Sequence, residues 1–154
     1  MRPAYGAKES GICAYPATIV VDVANVMGSR PDGWWRDRAG AAVRLHAELV
    51  ALAASGRPVL PGENEPPEFV MVVEGAARPA ATRIAESGEA GAAGDRVRVV
   101  RADGSGDDAI VALVRETPGR RLVVTADREL RRRCEAAGAE VAGPGWLLGL
   151  LRDP

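Results

Sequence analysis

The sequence predicts an α/β domain around a parallel sheet of about five strands, and three observations carry that expectation. Short valine-rich runs recur along the chain, longer stretches with apolar residues at helical spacing separate them, and glycine or proline closes the helical stretches. Strands that are apolar throughout suit a parallel sheet covered on both faces, because crossover helices pack over each side. With 154 residues and 47% hydrophobic content, the chain is long enough for one domain with a real core and short for two.

Residues 1–16, "MRPAYGAKESGICAYP", lack periodicity and hold two prolines, so they are expected to form a flexible arm before a single domain over 17–154. The first strand is expected over Thr18–Val23. Gly33–Ser55 follows as the longest helix, with Ala39, Val43, Leu45, Leu49 and Leu52 at helical spacing and Gly56 and Pro58 as its stop. The stretch "LPGENEPPE" (60–68) reads as an exposed, mobile loop before a second strand at Phe69–Val73. A second exposed loop, "ESGEAGAAGD" (86–95), precedes a third strand at Val97–Arg101.

"GSGDDAIVALVRE" then opens with a serine able to cap a helix and sets Ile110, Val111, Leu113 and Val114 on an inward face until Pro118 and Gly119. The fourth strand, Leu122–Thr125, leads into "TADRELRRRCEAAGAE", with Thr125 as the expected cap and Gly138 as the stop. A fifth strand at Glu140–Ala142 and a short helix over Gly143–Leu151 complete the pattern, with Trp146, Leu147, Leu150 and Leu151 packing on the sheet.

A net charge of −1 argues against nucleic-acid binding through positive field alone, although acids gathered at a metal site would mask local basic patches. Cys13 and Cys134 show no CxxC spacing and no apolar leader precedes them, so a reducing cytoplasm is the expected compartment. No apolar run approaches the roughly 20 residues that cross a bilayer. His46, the sole histidine, falls mid-helix and reads as structural.

In an open parallel sheet the carboxyl ends of the strands share one edge, and ligands bind in the crevice there. The first strand ends in Asp22 with Asn25 just beyond, the second leads to Glu74, the third to Asp107 and Asp108, and the fourth to Asp127. Each has a plainer reading: Asp107, Asp108 and Asp127 suit first turns of helices, and Glu74 suits a turn before Gly75. Asp22 resists that reading, since it follows an apolar strand where no helix is expected to have begun. Gathered carboxylates repel and raise one another's pKa unless a cation lies between them. An all-oxygen donor set suits Mg²⁺ or Mn²⁺, and the lack of a second histidine or a cysteine pair disfavours zinc. Such a centre would serve hydrolysis of a phosphodiester or a pyrophosphate.

"VVDVANV", "SGDDAIVAL" and "VVTADRELRRRCEAAGAEV" together resemble the NYN domains of the PIN-like nuclease superfamily, over about Thr18 to Leu151. The resemblance implies a three-layer α/β/α fold with strand order 3-2-1-4-5 and a metal-dependent nuclease site, often acting on RNA. By the same resemblance Asp22, Asp107 and Asp127 would be metal-binding acids, with Asp108 competing with Asp107. Asn25 would position Asp22, Thr125 would support the turn after the fourth strand, and Glu74 stands where relatives often have aspartate.

The insertion "MGSRPDGWWRDRAG" departs from that family's pattern. Its Arg30, Trp34, Trp35, Arg36 and Arg38 could stack bases and contact phosphates, or else pack as the start of a helix with one tryptophan inward and the other freer. Thr125 and Arg128 join the candidate substrate contacts, and Arg131 to Arg133 read as a phosphate track or a solvated helix end. Ala24 stands where an aspartyl-phosphate phosphatase would need a second acid, and neither a receiver-type lysine nor a phosphate-loop GK[ST] occurs. Three readings stay open: a metal-dependent ribonuclease, a nucleoside triphosphate pyrophosphohydrolase using the same acids, and a non-catalytic RNA- or protein-binding module. RNA or a nucleotide is the expected partner, without a membrane and with a homodimer left open.

Overall fold

The strand Thr18–Asp22 (β1) is buried along its whole length because it is the middle strand of five and has a helical layer on each face. The computed structural model describes residues 15–87 and 92–152; most of the expected arm, with Cys13, lies outside the described residues. β1 pairs with Glu68–Val73 (β2) on one side and with Arg121–Val124 (β4) on the other, all parallel. Val97–Arg101 (β3) and Glu140–Ala142 (β5) form the edges, so the order is β3-β2-β1-β4-β5. This is the parallel α/β sheet expected, in the 3-2-1-4-5 order.

Alternation along the strands divides the core. Ile19 and Val21, with Phe69, Met71, Val73, Leu122 and Val124, face a layer built from Val23–Gly28 (α1), Arg38–Ala54 (α2) and Pro144–Arg152 (α7). Pro79–Ser87 (α3) and the single turn Ala92–Asp95 (α4) pack beside α2 and β3. Val20, Val72 and Val123 point the other way, onto Gly106–Glu116 (α5) and Arg128–Ala136 (α6). By the same period of two, Asp22, Glu74 and Thr125 fall on the α5–α6 side.

Several expected boundaries move, each for a local reason. Val23 leaves the first strand because Asp22 caps α1 immediately after it, its Oδ1 accepting from the Asn25 amide at 3.3 Å. The expected helix over Gly33–Ser55 is broken. Gly33, at φ 77°, opens a 3₁₀ turn over Trp34–Arg36, and Asp37 then caps α2, its Oδ1 accepting from the Gly40 amide at 2.9 Å. Asp127 rather than Thr125 caps α6, its Oδ1 accepting from the Leu130 amide at 3.0 Å.

The loop 60–68 is anchored rather than loose: Leu60 is buried, and Arg120 reaches the Pro61 carbonyl and Glu63 while also pairing with Glu140. The expected loop 86–95 holds the end of α3 and all of α4, with residues 88–91 outside the described residues. His46 is buried in α2. Cys134 is buried in α6, and burial pushes its thiol up to about 11, which disfavours the reactive thiolate. Among the described residues no helix is long and apolar enough to cross a membrane.

Phe69 is 1% exposed beneath the α2 layer, so Phe69→Ala is expected to lower the unfolding free energy by about 3–5 kcal/mol in urea denaturation. Trp35→Ala, at a side chain 54% exposed, is expected to change it by no more than about 0.5 kcal/mol in the same measurement.

Candidate active site

Asp22 ends the central strand with its carboxylate facing α5 and α6, and it is 7% exposed. A carboxylate held this dry needs donors on both oxygens. Oδ1 accepts from the Asn25 amide, and Oδ2 accepts from the buried Thr125 hydroxyl at 2.8 Å. Thr125 Oγ1 in turn accepts from the Asp127 amide at 3.2 Å. Asn25 Oδ1 accepts from the Ala126 amide at 2.7 Å and ties the start of α1 to the turn after β4. Two connections between adjacent strand ends are thereby locked together.

The other acids reach the same edge from helix starts. Asp107 lies half-buried in the first turn of α5, beside exposed Asp108, whose amide donates to the capping Ser105 Oγ at 3.3 Å. Glu74, just beyond β2, accepts at Oε1 from the Gly106 amide at 3.3 Å. Its carboxylate so nearly covers Gly106 that a β-carbon there would collide with Glu74 Oε2.

These groups feel one another electrostatically. Burial pushes the Asp22 carboxyl above its ordinary value of 3.8; the Thr125 and Asn25 hydrogen bonds oppose the rise, and the charges of Asp107 and Glu74 add to it. Burial likewise raises Asp107, with Asp127 and Glu74 reinforcing the shift and Arg133 opposing it. Among the described residues, no set of three or more His, Cys, Asp or Glu groups stands in an arrangement able to hold a metal ion. The acids offered are all carboxylates, the donor type that a hard divalent cation takes. In the present rotamers, Glu74 and Asp127 each use an oxygen on a helix amide.

The remaining candidate residues sort by what they touch. Asp108 turns outward into an ion pair with Arg133 at 2.9 Å, which leaves Asp107 as the inward acid of the adjacent pair. Thr125, expected among the substrate contacts, is fully buried with its hydroxyl on Asp22. Arg30 is likewise committed elsewhere, in a two-pronged pair with Glu48 at 2.7 and 2.9 Å.

Trp34 packs against the core while Trp35 stays exposed, the division that their adjacency suggested. The two indoles meet edge to face at 6.1 Å, with Arg38 over Trp34 at 5.2 Å and Arg36 over Trp35 at 5.6 Å. Trp34, Arg38 and Glu74 line a pocket of about 260 Å³ with Ala24, Met27 and Ala77 as apolar wall. Arg128 lines a wider hollow of about 380 Å³ with Arg131 and Arg132. Sequence reasoning missed the contact between Gly106 and Glu74.

No protein-family model matches the chain, nor does any curated protein. Among solved structures it is similar to a crystal structure of a mutant of Rae1 (YacP) from Bacillus subtilis, with a TM-score of 0.63 at 16% sequence identity. The match covers 88% of this chain and 75% of that one, and it shows a shared fold.

Removing the Thr125 hydroxyl leaves a buried carboxylate oxygen without its donor. Thr125→Val is expected to cost about 1–3 kcal/mol in denaturant unfolding, with Thr125→Ser recovering most of the difference. Raised carboxyl pKa values mean that the folded state binds protons more tightly than the unfolded chain. In metal-free buffer, the contribution of Asp22 to stability therefore falls as pH rises from 3.8 through its raised value, and is flat above it. Thermal melts of the unmodified chain and Asp22→Asn should diverge over that window, with the variant gaining relative stability as pH increases.

Proposed function

We propose that this chain hydrolyses phosphodiester bonds, with RNA as substrate, at an acidic centre loaded with Mg²⁺ or Mn²⁺. The observation that carries the reading is the Asp22 carboxylate: buried at the end of the central strand, held by two donors, and raised in pKa beside Asp107 and Glu74. A buried carboxylate with a raised pKa at the carboxyl edge of a parallel sheet is a candidate working group. The family resemblance of the "VVDVANV", "SGDDAIVAL" and "VVTADRELRRRCEAAGAEV" segments supports nuclease chemistry, and the fold similarity agrees with the topology that the resemblance implies.

Asp22, Asp107, Asp127 and Glu74 would hold the divalent ion. When bound, such an ion polarises a phosphoryl oxygen and acidifies the attacking water. Thr125 keeps the Asp22 carboxylate aimed, and Asn25 holds the turn that carries Asp127. Exposed Trp35, backed by Arg36, offers a face on which a base can stack. The arginines lining the hollow at the start of α6 offer positive charge to phosphates of the same strand. The modest net charge of −1 is thus the sum of an acidic centre and basic flanks.

Incubation with labelled RNA and Mn²⁺ tests the reading. Asp22→Asn is expected to lower cleavage by more than about 100-fold with an unchanged circular dichroism spectrum, while Thr125→Val lowers it by about 10–100-fold, as removal of an orienting partner does. Pyrophosphate released from nucleoside triphosphates without RNA cleavage would point to a pyrophosphohydrolase using the same acids. Silence with both substrates would point to a non-catalytic binding module.

A further inference from the structure

Arg30, Arg83, Arg120, Arg132 and Arg133 each answer a carboxylate, and Arg121 donates to the carbonyls of Val114 and Gly138. Arg78 and Arg101 have no side-chain hydrogen bond or ion pair among the described residues. They nevertheless line one cavity of about 420 Å³, together with Gly75, Pro79 and Thr82. Nε of Arg78 is buried without a partner, and no anion among the described residues pairs with this guanidinium. Two like charges brought to one hollow repel, and an anion between them removes that repulsion.

The setting adds to the positive field. Arg101 closes β3 in register with Val73 at the end of β2, which fixes its backbone at the carboxyl edge of the sheet. Pro79 is the first residue of the nine-residue α3, so the positive end of that helix dipole lies at the same hollow. Gly75 lines this hollow and also the pocket of Trp34, Arg38 and Glu74. The two cavities therefore meet at one residue, next to Glu74 of the acidic centre.

We propose that Arg78 and Arg101 form a phosphate-binding subsite for the substrate strand, beside the acidic centre on the β2–β3 side. Its place in a reaction rests on the hydrolytic reading above, whereas its affinity for phosphate does not. The bound group is either a terminal phosphate monoester or an internal phosphodiester of the same strand. Thr82, whose hydroxyl group can both donate and accept, supplies a neutral partner in the same wall.

Binding without turnover tests this on the full chain. Fluorescence anisotropy in EDTA would compare short RNA oligomers bearing a 5′-phosphate or a 5′-hydroxyl. The doubly substituted Arg78→Gln, Arg101→Gln chain is expected to bind about 10-fold more weakly, with a salt dependence shallower by about 0.7 for each phosphate no longer neutralised. Arg115→Gln, which removes one charge from the last turn of α5, is the control for a general weakening of the field. Weakening confined to the 5′-phosphorylated oligomer identifies a terminal phosphate, and equal weakening of both identifies an internal one. Arg101→Gln, at an exposed strand end, keeps the test open if substitution of Arg78 impairs folding. The subsite is overturned if the arginine variants bind like the Arg115→Gln control, or if the unmodified chain binds neither oligomer. A chain that binds through these arginines yet never cleaves RNA would sink only the hydrolytic reading.

Discussion

A carboxylate buried at the end of the central strand is the constraint on which the rest of this molecule depends. Asp22 can be kept out of water only if donors reach it, and the donor for Oδ2 comes from a different strand, 103 residues later in the chain. Parallel pairing of β1 with β4 sets Val21 against Val124, so the next residue of each chain segment, Asp22 and Thr125, comes side by side at the carboxyl edge of the sheet. The strand order is therefore more than a packing solution. It places a hydroxyl beside a carboxylate that would otherwise be unmatched.

Capping and site-building are not rival uses for these acids. Asp22 receives the Asn25 amide at the start of α1, Glu74 the Gly106 amide at the start of α5, and Asp127 the Leu130 amide at the start of α6. Amides at helix starts carry partial positive charge, which lets anions approach one another more closely than bare carboxylates would. Burial first, and neighbouring charge after it, raises the Asp22 and Asp107 carboxyls above their ordinary value. The fold keeps the acids close with backbone dipoles and leaves an electrostatic deficit at the centre.

Much of the architecture was legible in the sequence because parallel strands buried on both faces read as unbroken apolar runs. All five strands lie where those runs were placed, to within a residue or two at the ends. The strand order came from family resemblance, since periodicity is silent about which strands are neighbours. Boundaries failed where a polar side chain competed with an apolar pattern: Asp22 drew Val23 into a helix, and Asp37 cut the long helix behind Trp34–Arg36. The α3 helix, "PAATRIAES", went unread because Ala80 is its one buried residue and its apolar stripe is thin. Asp107 and Asp108 could not be separated in a linear reading. A rotation of about 100° between neighbours on a helix sends one inward and the other to Arg133. Arg78 and Arg101 were not legible, because an arginine at a strand end or turn is an ordinary surface residue until the structure shows which carboxylates fail to reach it.

The close approach of Glu74 to Gly106 gives an otherwise silent position control over the rim. Gly106 carries no chemistry, and its backbone is not in the left-handed region that commonly demands glycine. A methyl group there would occupy the space of the Glu74 carboxylate, the end of a flexible side chain. Any larger residue would displace that acid from the α5 amide it now accepts from. The smallest side chain in the molecule thus acts as a gauge block, setting by its absence how near one anion stands to the next.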